Sequence, residues 1–275
     1  MDETRPTVVV TGSSGLVGAA IAAALRDVGR VVRGVDRLPG RRTDLVGDLR
    51  ERAVRREALR DAAVIVHAAA LHAPHVGRVA DDEFRAVNVG VTAALAEEAP
   101  GARFVLISST SVYGHALVPA GRAVWVDETV TPRPRDIYDE TKLAAEQLVA
   151  GRGVILRIAR CFPEPLPVLA AHLLHRAVGL SDVAAAAALA VSRGSGTFNI
   201  AGPYPFRRED CAGVHHDAPA VLAERAPQVV EAFRRRGLPV PRSLDRIYDS
   251  SAAMAGLGYR PTHGVLRLLS ADGSS

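Results

Sequence analysis

The sequence predicts a doubly wound α/β fold, a parallel sheet with helices on both faces and a small interleaved C-terminal cap. Three observations carry this. A β-branched run from Pro6 to Gly12 stops at glycine and leads into the Ala/Leu/Ile/Val-rich stretch Leu16 to Val28. Short apolar runs then alternate with helical stretches, the order expected of a sheet crossed by helices. The alternation fails in Cys161 to Gly179 and Pro203 to Leu244, where Pro, His and Arg accumulate without a clean period. A chain of 275 residues suits one domain with an appendage better than two catalytic domains.

Taken in order, Gly29 closes the first helix and Arg30 to Asp36 reads as a second strand, so the opening is a βαβ unit with parallel pairing. Further strands are predicted at Ala63 to His67, Arg103 to Ile107, Gly153 to Arg157 and Thr197 to Ile200. Helices are predicted at Glu51 to Asp61, Ala80 to Glu98 and Arg135 to Ala150. The partition that follows is 1–160 for the sheet domain and 161–275 mainly for the cap, with 182–202 returning to the sheet. The last residues, Ala271 to Ser275, are expected to fray.

Composition narrows the field. A content of 48% hydrophobic and 23% charged residues excludes a mostly disordered chain. The longest apolar run, Val183 to Val191, is about half of the roughly 20 residues a membrane span requires. Two cysteines and no apolar leader point to a reducing cytoplasm without disulfides. The net charge of +4 is spread along the chain, which gives no basis for a nucleic-acid partner. Lys142 is the only lysine, in a sequence that otherwise uses arginine. A compact ammonium retained against that bias suits a tight site that a planar guanidinium cannot fill.

Gly12, Gly15 and Gly18 lie between the first strand and the first helix, near the N-terminus. There Gly12 permits the tight turn, Gly15 lets backbone N–H groups approach a pyrophosphate, and Gly18 allows close packing of helix on strand. Ser14, Leu16 and Val17 belong to the same cradle. Asp36, ending the second strand, would accept hydrogen bonds from the adenosine ribose and repel a 2′-phosphate, so NAD is expected in preference to NADP. Arg37, Arg41 and Arg42 are either phosphate-neutralising or ordinary loop charges. Asp48 and Leu49 are either adenine contacts or a helix cap. These residues mark the sheet as a dinucleotide-binding Rossmann domain.

Tyr138 and Lys142 stand four apart on a predicted helix and so share a face. A phenol beside an ammonium is a usable proton carrier. Ser108 to Ser111 follow the strand ending at Ile107, where a hydroxyl would face the same cleft.

With Thr11 to Gly18, Asp36, Asp48-Leu49, His67 to Ala70, Asn88, Ser108 to Gly114, Tyr138/Lys142, Tyr248 to Ala252 and Leu257 to Pro261, the chain resembles an extended short-chain dehydrogenase/reductase of the NAD-dependent epimerase/dehydratase family along nearly its whole length. The resemblance implies that Ser109 hydrogen-bonds the substrate oxygen, Tyr138 is the acid/base, Lys142 holds the nicotinamide ribose, and Ala68, Ala69 and Ala70 line the cofactor. It also implies a homodimer built on the helices Ala80 to Glu98 and Arg135 to Ala150.

The chain departs from the family at named positions. Thr110 and Ser111 stand where sugar-nucleotide dehydratases carry an Asp-Glu pair, which argues against that elimination. Arg160 stands where many epimerases have asparagine. The segment Arg157 to Pro165 is similar to uronate dehydrogenases, and the cap is short for a nucleotide diphosphate. The expectation is an NAD-dependent oxidoreductase for a sugar, uronic acid or similar polyol. An NAD-dependent epimerase using transient oxidation is the alternative, and an NAD-sensing regulator without turnover a second one, disfavoured because such relatives usually lack the Tyr/Lys pair. Thr110, Arg160 and Arg176 are candidate substrate contacts, the two arginines being either bidentate carboxylate clamps or members of structural ion pairs. His72, His75, His115, His172 and His175 are expected to be solvated, without a metal. Trp125 and Tyr204 are expected to be packing anchors.

Overall fold

The computed structural model describes residues 7–270, so the expected fraying of Ala271 to Ser275 lies outside the described residues. In chain order the first elements are β1 (Thr7–Thr11), α1 (Leu16–Asp27), β2 (Val32–Asp36), β3 (Leu45–Val46), α2 (Arg52–Ala58) and β4 (Ala62–His67). Then come α3 (Asp81–Phe84), a π-helical segment Arg85–Gly90, α4 (Val91–Glu98) and β5 (Arg103–Ser109). The second half holds β6 (Val124–Val126), α5 (Ile137–Val149), β7 (Gly153–Ile158), α6 (Leu166–His172), α7 (Leu180–Ala190), β8 (Gly196–Ile200), α8 (Cys211–Arg225), α9 (Pro227–Arg235), β9 (Arg246–Tyr248), α10 (Ser251–Leu257) and α11 (Val265–Ser270).

Seven strands form one sheet in the order β3-β2-β1-β4-β5-β7-β8, every pair parallel. Alternation along each strand divides the core in two. Val8 and Val10, Val64 and Val66, Val105 and Ile107, and Val154 and Leu156 face α1, α7 and α10. Val9, Ile65, Phe104, Leu106 and Ile155 face the opposite layer of α2, α4 and α5. Strands covered on both faces have no polar side to show, which is why they read as continuous apolar runs. The order reverses between β1 and β4, and at such a switch point the loops leave on opposite faces and open a crevice at the carboxyl ends of the strands.

The cap has its own core. Leu174, Cys211, Val214, Leu222, Phe233, Ile247 and Leu269 pack together from α8, α9, β9, α11 and the end of α6. The stretches without a clean period do contain helices. α8 is interrupted by Pro219 and by a non-helical Asp217, and α9 opens on Pro227, so neither shows an unbroken repeat. A second small parallel sheet, β6 with β9, joins residues over a hundred positions apart and was not foreseen.

The predicted helix Ala80 to Glu98 is α3, the π segment and α4 in succession. His72 and His115 are exposed, as expected, but His172 and His175 are not simply solvated. His175 is buried and its Nδ1 lies 2.7 Å from the Arg246 carbonyl, while His172 Nδ1 lies 2.7 Å from Glu164. The expectation failed because both face inward from the end of α6 onto neighbouring cap segments. Trp125 bonds to Asp249 at 3.2 Å, and Tyr204 donates to the Ala177 carbonyl at 2.5 Å.

Candidate active site

A cleft of about 430 Å³ opens over the switch point. Its first wall is the turn after β1. Gly12 takes φ of +72°, and a side chain there would meet the Ala69 backbone at 2.8 Å. A β-carbon on Gly18 would lie 2.1 Å from the Gly12 carbonyl oxygen, so α1 can approach β1 only through glycine. Gly15 caps α1 without any side-chain hydrogen bond, which leaves the first-turn N–H groups facing the cleft beside Gly12, Leu16, Val17 and Gly18. This bare, positively polarised helix start fits a pyrophosphate.

At the adenosine end, Asp36 lines the cleft together with Arg37. Its carboxylate is aimed by N–H groups from Ser14 (3.0 Å) and Leu38 (3.0 Å). Ser14, expected in the cradle, lines no part of the cleft; its hydroxyl donates to the Leu38 carbonyl at 2.6 Å and ties the glycine turn to the loop after β2. Asp48 and Leu49 do line it. Asp48 is gripped by Arg50, whose hydrogen bond holds the carboxyl below its ordinary range. Arg50 also reaches Glu83 at 2.8 Å and closes a clasp over this end.

The floor after β4 is fixed by a buried polar knot. Thr92 donates to the Asn88 carbonyl (2.7 Å), so His67 donates from Nε2 to Thr92 (3.0 Å) and accepts at Nδ1 from the Thr11 hydroxyl (2.7 Å). Thr11 in turn accepts from the N–H groups of Ala68 and Ala69 at 3.2 and 3.1 Å. Burial drives His67 down to about 3, so the ring is neutral and this pattern stays intact near neutral pH. Asn88, in the π segment, accepts from the Leu71 N–H (2.8 Å) and donates to the Leu71 carbonyl and Thr141 (3.0 Å each). It thereby binds the loop after β4 to α5.

α5 brings Tyr138 and Lys142 to the cleft. The side chain of Asp136 caps the helix by accepting from the Asp139 N–H at 3.0 Å. Tyr138 and Lys142 then both line the cleft. Lys142 is buried, its ammonium donating to the Ile107 carbonyl at 2.7 Å, and burial lowers it to about 8 against the opposing pull of Glu146. Burial pushes Tyr138 up to about 12, while a hydrogen bond with Ser109 pulls the other way. Ser109 Oγ also accepts from the Ser111 N–H at 3.1 Å. The structure therefore places Tyr138 and Lys142 at one end of the cleft and the glycine turn with Asp36 at the other; Ser109 does not line the cleft itself but is hydrogen-bonded to Tyr138.

A sequence profile of the NAD dependent epimerase/dehydratase family matches residues 8–158, more than half of the chain. The chain belongs to that family. It is of the extended short-chain dehydrogenase/reductase type. A curated relative, the 3 beta-hydroxysteroid dehydrogenase/Delta 5-->4-isomerase of Mycobacterium tuberculosis, is 35% identical over 173 residues, covering 58% of this chain and 46% of that one. The chain thus spans about half the length of the curated relatives it matches. Among solved structures, MoeE5 in complex with UDP-glucose and NAD is 26% identical with a TM-score of 0.68, each chain covered to 96%. A short-chain dehydrogenase/reductase superfamily protein from Agrobacterium tumefaciens with bound NAD is 23% identical with a TM-score of 0.69, over 96% of this chain and 94% of that one.

Within this family member the remaining candidates divide. Ala68, Ala69 and Ala70 line the cleft; Thr110, Arg160 and Arg176 do not. Thr110 is buried. Arg160 is held by Glu164 at 2.8 Å and lies over the Phe162 ring. Arg176 donates to His172 Nε2 at 2.5 Å and faces Asp245 at 3.8 Å. Both arginines thus take the ion-pair alternative. Among the residues that sequence reading left out of the cleft wall are Leu71, His72, Glu83, Val87, Val91, Ile158, Cys161 and Phe162. Glu83, Val87 and Val91 recur every four residues, a helical spacing that was legible; Cys161 and Phe162 directly follow a strand end, where such clefts form.

Proposed function

We propose that the protein is an NAD-linked dehydrogenase acting on a secondary alcohol of a sugar, uronic acid or similar polyol, with Ser109, Tyr138 and Lys142 as its catalytic residues. The observation that carries this is the joining, in one cleft, of a bare helix start and Asp36 to the Tyr138/Lys142 pair. The cofactor, when bound, accepts a hydride at its nicotinamide. The first turn of α1 holds the pyrophosphate, and Asp36 accepts from the adenosine ribose. Lys142 holds the nicotinamide ribose, and its charge favours the phenolate of Tyr138 against the effect of burial. Ser109, oriented by the Ser111 N–H, donates to the substrate oxygen. Tyr138 takes the hydroxyl proton as the hydride leaves the carbinol carbon, so two electrons and one proton are accounted for.

A net dehydrogenase is preferred to an epimerase because Arg160, held by Glu164, stands where many epimerases carry asparagine. A second substrate reading has its own observation. Leu71, Val87, Ile107, Ile158, Cys161 and Phe162 make the reacting end largely apolar, which favours an alcohol on an alicyclic skeleton, the chemistry named by the curated relatives. A carboxylate-bearing substrate would have to compete with Glu164 for Arg160. A panel of sugars, uronic acids, nucleotide sugars and alicyclic alcohols, followed by formation of reduced nicotinamide, tests both readings. Turnover of none of them by NAD-supplied protein would defeat the proposal.

The same reading includes a cytoplasmic homodimer. It is supported by the free thiols Cys161 and Cys211 and by Leu148, 41% exposed on the outer side of α5. Light scattering at micromolar concentration tests the dimer.

A further inference from the structure

Behind the reacting end lies a buried ionic cluster that the proposed chemistry does not use. Glu146 stands four residues after Lys142, so the two side chains are neighbours on the inner face of α5, and both are buried. The Glu146 carboxylate accepts from the Ser108 hydroxyl at 2.5 Å and from Arg157 through Nε (3.0 and 3.2 Å) and Nη2 (2.7 Å). Arg157 lies 4.9 Å from the centre of the Tyr113 ring, and Tyr113 donates to Asn199 at 2.8 Å. Two strands, β5 and β7, thus fix the position of one carboxylate beneath the cleft, and Asn199 on β8 holds the Tyr113 ring beside Arg157.

We propose that Glu146 is a positioning residue for the Tyr138/Lys142 pair: anchored by Ser108 and Arg157, it is the fixed anion that keeps the Lys142 ammonium charged inside the protein. Ser108 is at once its ligand and part of the cleft wall, so the same carboxylate also sets the end of β5 beside Ser109. A buried ammonium bonded to one backbone carbonyl is poorly compensated by that dipole alone, and a full charge of opposite sign is what retains its proton.

The other titratable groups around it do not supply that charge. His67 on β4 is held neutral near 3, Tyr138 on α5 is driven up to about 12, and Cys161 beyond β7 is driven up to about 11, all by burial. Asp139, on the same helix, is turned towards Arg135, its carboxylate 3.3 Å from the guanidinium. Arg157 on β7 is itself a cation, held by Glu146, which raises it further.

Because Lys142 is the only lysine in the chain, its titration can be read directly. Protein grown with lysine labelled at the ε-carbon gives a single side-chain resonance, followed against pH without substrate or NAD. The inference rests on the proposed role of Lys142, but this readout does not, so the two can fail separately. In the wild type the resonance should titrate near 8. In Glu146→Gln it should titrate lower by roughly one unit or more, the size expected on losing a close opposite charge. The alkaline limb of kcat/KM, once a substrate is found, should move by the same amount. Glu146→Gln/Arg157→Met removes the stranded cation as well and restores folding if the single variant is unstable, yet should keep the low Lys142 midpoint. A purely structural Glu146 would lower the melting temperature and leave the midpoint unchanged. An unchanged midpoint in either folded variant would overturn the proposal.

Discussion

The sheet domain and the cap solve their placement problems differently. Around the glycine turn, the groups that shape the cleft are close in sequence or on adjacent strands, as when Thr11 meets the N–H groups of Ala68 and Ala69 across the β1/β4 pair. The cap is assembled from distant pieces. β6 pairs with β9, and the ion-pair chain Arg160, Glu164, His172, Arg176 and Asp245 gathers two separate segments. A glycine turn set by local geometry can therefore be read from a motif, whereas a cap assembled by long-range pairs cannot.

The largest expected effect falls where the two regions meet. Tyr138→Phe should lower turnover by roughly 10²- to 10⁴-fold while leaving NAD affinity nearly intact, whereas Lys142→Met should harm both. Calorimetric NAD titration beside steady-state rates separates the two. Unchanged turnover in the phenylalanine variant would remove Tyr138 from the chemistry.

Cutting into the cap core should damage only the cap's share of function. Leu222→Ala, at a fully buried position, should cost about 2–5 kcal/mol in denaturant unfolding. Under native conditions it should raise the substrate KM without weakening NAD binding. A parallel loss of NAD affinity would show that the two regions are not separable.

On the sheet side, Asp36→Asn should relax the preference for NAD over NADP by roughly ten- to a hundredfold, the worth of charge-assisted hydrogen bonds to the ribose. Wild-type protein that binds NADP as tightly as NAD would mean that Arg37 and its neighbours outweigh the carboxylate.

A further effect is a pH dependence of stability. His67 is lowered by burial from 6.5 to about 3 in the folded protein, so between those values the unfolded chain binds more protons. Stability should then fall as pH drops through that window, by about 1.4 kcal/mol per unit from this one residue. His67→Gln should show a shallower acid slope in thermal unfolding, and an equally steep slope would assign the effect to other groups.

What the sequence disclosed follows the same division. Strands buried on both faces, the glycine spacing, Asp36 and the four-residue step from Tyr138 to Lys142 are consequences of local periodicity, and each stands where it was expected in the fold. The π segment carrying Asn88 was read as ordinary helix because a one-residue widening leaves the apolar spacing nearly intact. The Arg50–Glu83 clasp joins residues 33 apart, and no local pattern announces it. α8 stayed hidden behind Pro219 and Asp217, and the bonds that occupy Arg160 and Arg176 depend on how the cap closes.

The central claim is that the cleft carries out net hydride transfer with NAD as an exchangeable reactant. Its most direct test follows reduced-nicotinamide absorbance while purified protein, excess NAD and each candidate alcohol are incubated, with product stereochemistry determined in the same samples. The account predicts a lasting rise proportional to substrate consumed, absent in Tyr138→Phe. Inversion at one carbon with no lasting rise in absorbance would contradict it and make the protein an epimerase.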